Sequence, residues 1–201
     1  ETQVIIKEIV EPTLKGCIDE GFPFRGILFL GLMLTGETVS PIIRADEEQD
    51  VYIVALPKLL EYNVRFGDPE TQAILVRLES DLIEICEAML DGKLAETQIK
   101  WSQGNSACVV LAAEGYPQKP RTGDQISGLE EAGKIENVTI FHAGTKNSEG
   151  ETSPPTFLTS GGRVLGVTAT GDSLNEALAT AYDAARLISW PGMQYRRDIG
   201  K

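Results

Sequence analysis

Apolar residues recur three and four positions apart between Thr2 and Asp19, at Val4, Ile5, Ile9, Val10, Leu14, Cys17 and Ile18. That spacing predicts an amphipathic helix. Pro12 lies inside the run and predicts a kink or break, because proline brings no N–H to the helix ladder. Gly21 and Pro23 stop it. The pattern then becomes a continuous apolar run from Gly26 to Thr35, GILFLGLMLT, which predicts a strand buried on both faces. Gly36-Glu37 is placed to turn the chain back, and a second strand is expected from Lys58 to Phe66. The intervening stretch, Thr38 to Leu56, carries the acidic cluster Asp46, Glu47, Glu48 and Asp50 and the strand-like run VYIVAL. It reads as a surface excursion with one extra edge strand.

Gly67-Asp68-Pro69-Glu70 then reads as a turn leading into a helix. Asp68 suits a cap, Pro69 the first helical position and Glu70 the positive end of the helix dipole. Helices are predicted over Pro69 to Glu79 and Asp81 to Leu90, closed by Gly92. Leu94 to Asn105 is polar with little apolar periodicity, so a domain boundary is placed there. Beyond it, Ala107 to Ala113, Val138 to His142 and Arg163 to Thr168 read as strands. A helix is predicted from Ser173 to Ile188, capped by Asp172 or Ser173. Its apolar face carries Leu174, Ala177, Leu178, Ala181, Ala184, Ala185 and Ile188. Lys146 to Pro155 is expected to be a polar loop. The mixture predicts an α/β (α+β) chain in two parts, residues 1–97 and 98–201, with an atypical insertion at 38–56.

Composition narrows the function classes. Among 201 residues, 18 basic against 30 acidic side chains leave a formal charge of −12. A sequence-independent grip on nucleic acid is therefore not expected. Any phosphate must be met by local cations or a metal. No apolar run approaches the roughly 18 residues that span a bilayer, so no membrane span is expected. Three cysteines (Cys17, Cys86, Cys108) without short spacing give neither a disulfide framework nor a zinc site. They suit a reducing compartment, and a cytoplasmic location is expected. The chain opens on Glu1 without an initiator methionine, a signal h-region or a transit-peptide composition, and is read as a piece of something longer.

Three apparent motifs are set aside. Gly128 to Ile135 nearly spells a phosphate-binding P-loop, but Ile135 stands where a hydroxyl must reach Mg²⁺, and no apolar strand leads into it. Asn137-Val138-Thr139 matches a glycosylation sequon without any sign of secretion. His142, the single histidine, reads as a structural residue at a strand end.

The strongest chemical pattern is Leu59-Leu60-Glu61-Tyr62-Asn63-Val64-Arg65-Phe66. Side chains alternate along a strand, so Glu61, Asn63 and Arg65 are expected in one row, about 7 Å apart. A carboxylate and an amide oxygen are hard ligands suited to Mg²⁺, and a guanidinium can clamp a carboxylate or phosphate with two hydrogen bonds. The competing reading is a solvated strand face on which Arg65 pairs with Glu61.

The stretch LLEYNVRFGDPETQ resembles the signature of the phosphoribosylamine–glycine ligase family (glycinamide ribonucleotide synthetases). The likeness extends in order through GLMLT (31–35), LAAEGYP (111–117), FHAGTK (141–146), GGRVLGVTA (161–169) and YRRDIG (195–200). The family comprises ATP-grasp ligases of purine synthesis, and the chain resembles their C-terminal half. The resemblance implies the C-terminal lobe of an ATP-grasp core followed by a small biotin-carboxylase-like domain. It implies ATP as co-substrate, Mg²⁺ or Mn²⁺ on Glu61 and Asn63, and glycine and 5-phosphoribosylamine as the molecules joined. On this reading Arg65 steadies the carboxylate or the transferring phosphoryl group, as the catalytic cation. The Gly67-Asp68 turn approaches substrate, although Asp68 is equally suited to capping a helix. Lys146, Arg163 and Arg196 are candidates for the ribose phosphate, with Gly161 and Gly162 letting backbone N–H groups come close. Each of these cations is as readily a surface ion pair. The family's N-terminal domain and its lysine-bearing lid have no counterpart in the chain, so the isolated chain is expected to be inactive and the missing N-terminal half to be its partner. The alternative class is a non-catalytic phosphate- or partner-binding module derived from the same fold.

Overall fold

The structure is a computed structural model and describes residues 2–39, 52–148 and 155–200, with side chains for all of these except 36–39 and 52–55. The acidic cluster at 46–50 and most of the polar loop at 146–155 lie outside the described residues. Helices and strands are mixed throughout, and the chain is α+β. It divides into two compact units, residues 1–66 and 67–201.

The first unit begins with a helical path: α1 (Thr2–Ile5), a π-helical turn (Ile6–Val10) and α2 (Glu11–Asp19). The break expected at Pro12 is absent. Pro12 stands at the start of α2, where a missing N–H forfeits little, and the wider turn before it makes room for the ring. The path ends with Phe22 N–H on the Cys17 carbonyl and Gly21 at φ +85°, a left-handed conformation that glycine adopts without strain.

An antiparallel hairpin follows, β1 (Phe29–Val39) on β2 (Tyr52–Asn63). It corrects several expectations. Gly36-Glu37 does not turn the chain; both residues continue β1, opposite Ala55 and Val54. The run VYIVAL is no separate edge strand, since Tyr52 to Leu56 opens β2 and runs through Pro57 into Leu59-Leu60-Glu61. Proline is tolerated there because each strand of a two-stranded sheet keeps a free edge. The apolar run of β1 is not buried on both faces: the consecutive residues Met33 and Leu34 are 53% and 47% exposed. One partner strand satisfies backbone hydrogen bonds along an edge but covers neither face.

The second unit holds the core. Strands β3 (Asn105–Ala112), β7 (Arg163–Gly171) and β4 (Val138–His142) form an antiparallel sheet in the order β3-β7-β4. One face, with Val109, Leu111, Leu165, Val167 and Ala169, packs on α6 (Leu174–Leu187) through Ala181, Ala184 and Ala185. Alanines let the helix backbone sit close to the sheet, and each large buried aliphatic contributes roughly 1.5–3 kcal/mol. Ser173 caps α6 by accepting from Glu176 N–H at 3.2 Å, and Glu176 reaches back to Asp172 N–H at 2.9 Å. Leu174, expected on the apolar face, is 44% exposed at the first turn.

The opposite face carries Cys108, Val110, Gly166 and Thr168, the alternate residues of the same strands. The short helix α3 (Glu70–Leu75) covers one end of it: Gln72 lies over Gly166, and Ser106 Oγ donates to the Ala73 carbonyl at 2.5 Å. The helix expected to run to Glu79 thus stops at Leu75. Arg77 and Glu79 bond instead to Ser102 and Lys100 in the polar stretch. Helix α4 (Leu82–Leu90) is capped by Asp81 as its sequence suggests. Helix α5 (Leu129–Gly133) and the hairpin of β5 (Thr145–Asn147) with β6 (Phe157–Thr159) complete the unit. Residues 145–147, expected in the polar loop or just before it, are therefore strand.

Candidate functional site

In the first unit, β2 presents Glu61 and Asn63 side by side, with Asn63 Nδ2 3.4 Å from Glu61 Oε1. The backbone opposite Glu61 is Gly31, and a Cβ there would lie 2.7 Å from Glu61 Cγ. Glycine thus leaves the space into which the glutamate lies. Next to this pair, Leu32 opposes Leu59, so Leu60 is an extra residue on β2 and forms a β-bulge. Bulges re-aim neighbouring side chains, and here the strict alternation ends at Leu60. Neither Gly31 nor the bulge was assigned to the site from the sequence. The GLMLT block held the glycine, but its pairing partner depends on register.

Arg65 does not continue the row. The strand ends at Asn63, and Val64 and Arg65 form a bend, with Arg65 Nη1 donating to the Phe66 carbonyl at 3.2 Å. The expected line of three polar groups on one strand is a pair, and Arg65 is not engaged by Glu61. On the other side of β2, the Tyr62 hydroxyl meets Thr13 Oγ1 of α2.

The donor set of the pair suits a divalent cation that keeps most of its shell. Among the described residues no group of three or more His, Cys, Asp and Glu side chains is placed to hold a metal. Among the described residues, Glu61 and Asn63 would offer a cation a carboxylate and an amide oxygen, a small set that leaves room for phosphate oxygens and water. Mg²⁺ is commonly held that way.

In the second unit, the Gly67-Asp68 turn is tied from several sides. Thr71 Oγ1 donates to the Gly67 carbonyl at 2.6 Å, and Gln72 Nε2 to Asp68 Oδ1 at 2.8 Å. Arg163 Nη1 donates to the Asp68 carbonyl at 2.7 Å and lies 3.5 Å from its carboxylate. Asp68 is not the helix cap: Pro69 holds that position without a side-chain cap bond, so it is not the first helical residue either. The Asp68–Pro69 peptide is cis.

Arg163 and Arg196 come together on one cleft of about 420 Å³, whose other walls are Val110, Ala112, Tyr116, Gln194 and Tyr195. Arg163 reaches it through a second bulge. Leu111 opposes Leu165 but Ala112 opposes Arg163, leaving Val164 as the extra residue. Gln194 adds a one-residue strand beside β3, exchanging backbone bonds with Ala112 at 2.8 and 3.0 Å. Arg196 holds Asp198 with two bonds, 3.0 and 2.9 Å, which raise its already high pKa.

The other candidates lie apart from that cleft. Lys146 stands on β5 opposite Leu158 and is not among the lining residues. Gly161 faces Gly144 Cα, and a Cβ on Gly162 would collide with the Tyr116 ring. Close packing already accounts for glycine at both. The near-P-loop is a short helix whose Lys134 is held by Glu130 at 2.6 Å. His142 bonds Thr145 Oγ1 at 2.9 Å and lies tilted against the Phe157 ring, centroids 4.4 Å apart, with partial burial pushing its pKa down. Burial pushes the Cys108 thiol up, which keeps it protonated and inert. No helix among the described residues is long and apolar enough to cross a membrane.

Comparison with known proteins gives consistent findings. The family model for phosphoribosylglycinamide synthetase, ATP-grasp (A) domain, matches residues 1–71, and that for phosphoribosylglycinamide synthetase, C domain, matches residues 106–201. A phosphoribosylamine–glycine ligase of Vibrio parahaemolyticus is 44% identical over 196 residues, 98% of this chain and 40% of the relative. A chloroplastic phosphoribosylamine–glycine ligase of Arabidopsis thaliana is 42% identical over 198 residues, 98% of this chain and 33% of the relative. The crystal structure of a phosphoribosylamine–glycine ligase from Thermotoga maritima superposes with a TM-score of 0.66 at 35% identity, covering 96% of this chain and 41% of that one. The chain spans about two-fifths of the length of the bacterial relatives it matches.

Proposed function

This chain belongs to the phosphoribosylglycinamide synthetase family, and from that premise we propose that it is part of an ATP-dependent carbon–nitrogen ligase joining glycine to 5-phosphoribosylamine in purine biosynthesis, in the cytoplasm. Residues 1–97 serve as the C-terminal part of its ATP-grasp domain and residues 98–201 as its C-terminal α/β domain. The observation that carries the reading is the Glu61–Asn63 pair, set side by side on β2 over the space left by Gly31.

The reaction needs no protein nucleophile. A glycine carboxylate oxygen attacks the γ-phosphorus of ATP and ADP leaves. The ribosylamine nitrogen then attacks the carbonyl carbon of the acyl phosphate, expelling phosphate and losing a proton to solvent. Glu61 and Asn63 would hold Mg²⁺ or Mn²⁺, which when bound offsets the charge on the transferring phosphoryl oxygens. For that role Asn63 turns its amide oxygen, rather than its NH₂, toward the ion. Arg65 steadies the glycine carboxylate or the phosphoryl group. Gly67, Asp68, Lys146, Gly161, Gly162, Arg163 and Arg196 are the substrate-binding set.

With two-fifths of the relatives' length, the 201-residue chain by itself does not turn over; the remaining part of the ligase completes the nucleotide site. A coupled assay for ADP release on the isolated chain checks this, and turnover would overturn it. The metal assignment is tested by calorimetry of ATP and ADP with and without Mg²⁺, repeated on Glu61→Ala. Metal-dependent binding that vanishes in the variant supports the ligase site; unchanged binding removes Glu61 from it. A second reading, a phosphate-binding module without ligase chemistry, is favoured by one observation only, that the Arg163–Arg196 cleft stands wholly within the second unit.

A further inference from the structure

We infer that Gln72 is a positioning residue: it fixes Asp68, and through Asp68 it sets the direction of the Arg163 guanidinium. This rests on the proposed membership of Arg163 in the substrate-binding set, whereas the linkage itself is read from contacts within the second unit.

Helix α3 grips the turn before it with two consecutive side chains. Thr71 Oγ1 donates to the Gly67 carbonyl at 2.6 Å, and Gln72 Nε2 to Asp68 Oδ1 at 2.8 Å. With Oδ1 engaged by Gln72, the carboxylate turns Oδ2 toward Arg163. Arg163 Nη1 lies 3.5 Å from that oxygen and donates to the Asp68 carbonyl at 2.7 Å. One guanidinium nitrogen thus faces both the backbone and the carboxylate of a single residue. The Arg163 and Asp68 side chains are 43% and 44% exposed, and an ion pair so open holds its own geometry weakly. Gln72 supplies the anchored end. Its amide stands over Gly166, where a Cβ would lie 3.8 Å from Gln72 Nε2 and 3.2 Å from Cys108 Sγ. Gly166 and Arg163 belong to the same strand, β7. Gln72 therefore ties the end of that strand, where Arg163 projects, to its covered middle.

Packing alone does not account for the amide. Gln72 Oε1 is buried and has no hydrogen-bond partner among the described residues. Burying an amide oxygen in that way costs more than a side-chain pair four residues apart contributes on a helix surface. Methionine has the same length and would cover Gly166 and Cys108 without that cost. Nor does the bond to Asp68 cap α3, because Pro69 holds the cap position and makes no side-chain cap bond. What glutamine adds over methionine is a donor aimed at Asp68.

Gln72→Met in the full 201-residue chain tests the linkage by three readouts. The urea midpoint should hold or rise, since the buried oxygen is removed. The Arg163 Nε–H resonance should move toward the free-arginine position and exchange several-fold faster with water. Affinity for ribose 5-phosphate, measured by calorimetry, should fall several-fold. Asp68→Ala leaves the packing of α3 on the sheet in place and tests the same linkage from its exposed end. It should reproduce both losses, and adding Gln72→Met to it should bring no further loss, as when one residue acts through another. A lower midpoint in Gln72→Met, with the Arg163 resonance and the affinity unchanged, would overturn the inference and leave Gln72 a packing residue. So would an Arg163 resonance unmoved by Asp68→Ala, or an undiminished effect of Gln72→Met in the Asp68→Ala background. Absence of ribose 5-phosphate binding by the unaltered chain would overturn the substrate role of Arg163 instead, a failure that the resonance separates from failure of the linkage.

Discussion

Two antiparallel pairs in this molecule each set a functional candidate beside a bulge, yet they are built on opposite terms. In the hairpin of the first unit, Glu61 follows the extra residue Leu60, and both strands leave large apolar side chains in solvent: Met33 of β1 is 53% exposed and Leu60 of β2 65%. In the sheet of the second unit, Arg163 precedes the extra residue Val164, and Val164 is fully buried. The same irregularity therefore serves a scaffold with a packed core in one case and a bare ribbon in the other. The lesson concerns what holds a site in shape. Arg163 and its cleft rest on side chains locked by α6, whereas the Glu61–Asn63 pair depends on cross-strand register and on Gly31.

The contrast is sharpened most by core deletion. Leu165 is 1% exposed within the cluster that α6 covers. Leu165→Ala should cost about 2–5 kcal/mol, as buried leucine truncations do, read as a shifted urea midpoint. Leu60→Ala on the hairpin should stay within about 0.5 kcal/mol, in the range of exposed substitutions. Equal losses at the two positions would mean that the hairpin is as tightly packed as the sheet, and the comparison would fall.

Gly162 comes next. A methyl group there meets the ring of Tyr116 and lies 3.1 Å from Pro120 Cγ. Gly162→Ala should destabilise by about 1–3 kcal/mol through overpacking. Because Tyr116 lines the cleft with Arg163 and Arg196 of the proposed substrate-binding set, the same variant should also lower the affinity for ribose 5-phosphate, a stable stand-in for the phosphorylated sugar substrate. Lost stability with unchanged affinity would remove Tyr116 from the ligand's surroundings.

Gly31→Ala probes the other region. Its Cβ would stand 2.7 Å from Glu61 Cγ, near the base of the side chain, so the glutamate itself must swing aside. Stability should change little, because this face has no packed core to disturb. Affinity for Mn²⁺, followed by its electron paramagnetic resonance signal, should fall about tenfold, roughly 1.4 kcal/mol. An unchanged Mn²⁺ affinity would show that Gly31 does not shape the metal pair.

The same contrast explains what could be read in advance. Strands β3, β4 and β7 and helix α6 were legible because hydrophobic periodicity and burial coincide there: Val109 and Leu111 alternate inward, and Ala177, Ala181, Ala184 and Ala185 form one stripe. In the hairpin, the apolar letters of GILFLGLMLT imply burial that a two-stranded ribbon does not supply. Gly36 looked like a turn because glycine punctuates turns more often than it continues strands. The residue types of the site were legible, and Glu61 with Asn63 was correctly placed on one face. Both bulges were not, since an extra residue appears only when one strand is counted against its partner. For the same reason Arg65 was carried one step too far along a strand that ends at Asn63; Arg163 and Arg196, 33 positions apart, were grouped with Lys146 through the family resemblance, and only the fold separates Lys146 from the cleft that the two arginines line.

The smallest effect concerns His142, at the end of β4 where the sheet meets the β5–β6 hairpin. Its ring lies against Phe157, and burial pushes its pKa below the ordinary histidine value. With the folded pKa below the unfolded one, the unfolded chain binds the proton more readily. The contribution is complete above the unfolded value near 6.5 and declines as pH falls through the window down to the folded value. Stability of the second unit should therefore soften slightly on acidification from pH 7.5 to 5.5. In His142→Gln, which keeps a polar group beside Thr145 but cannot titrate, that part of the slope should vanish. Urea midpoints of both proteins at the two pH values measure it. If the slopes are the same, the acid sensitivity arises among carboxylates, and the junction of sheet and hairpin is indifferent to the histidine's charge.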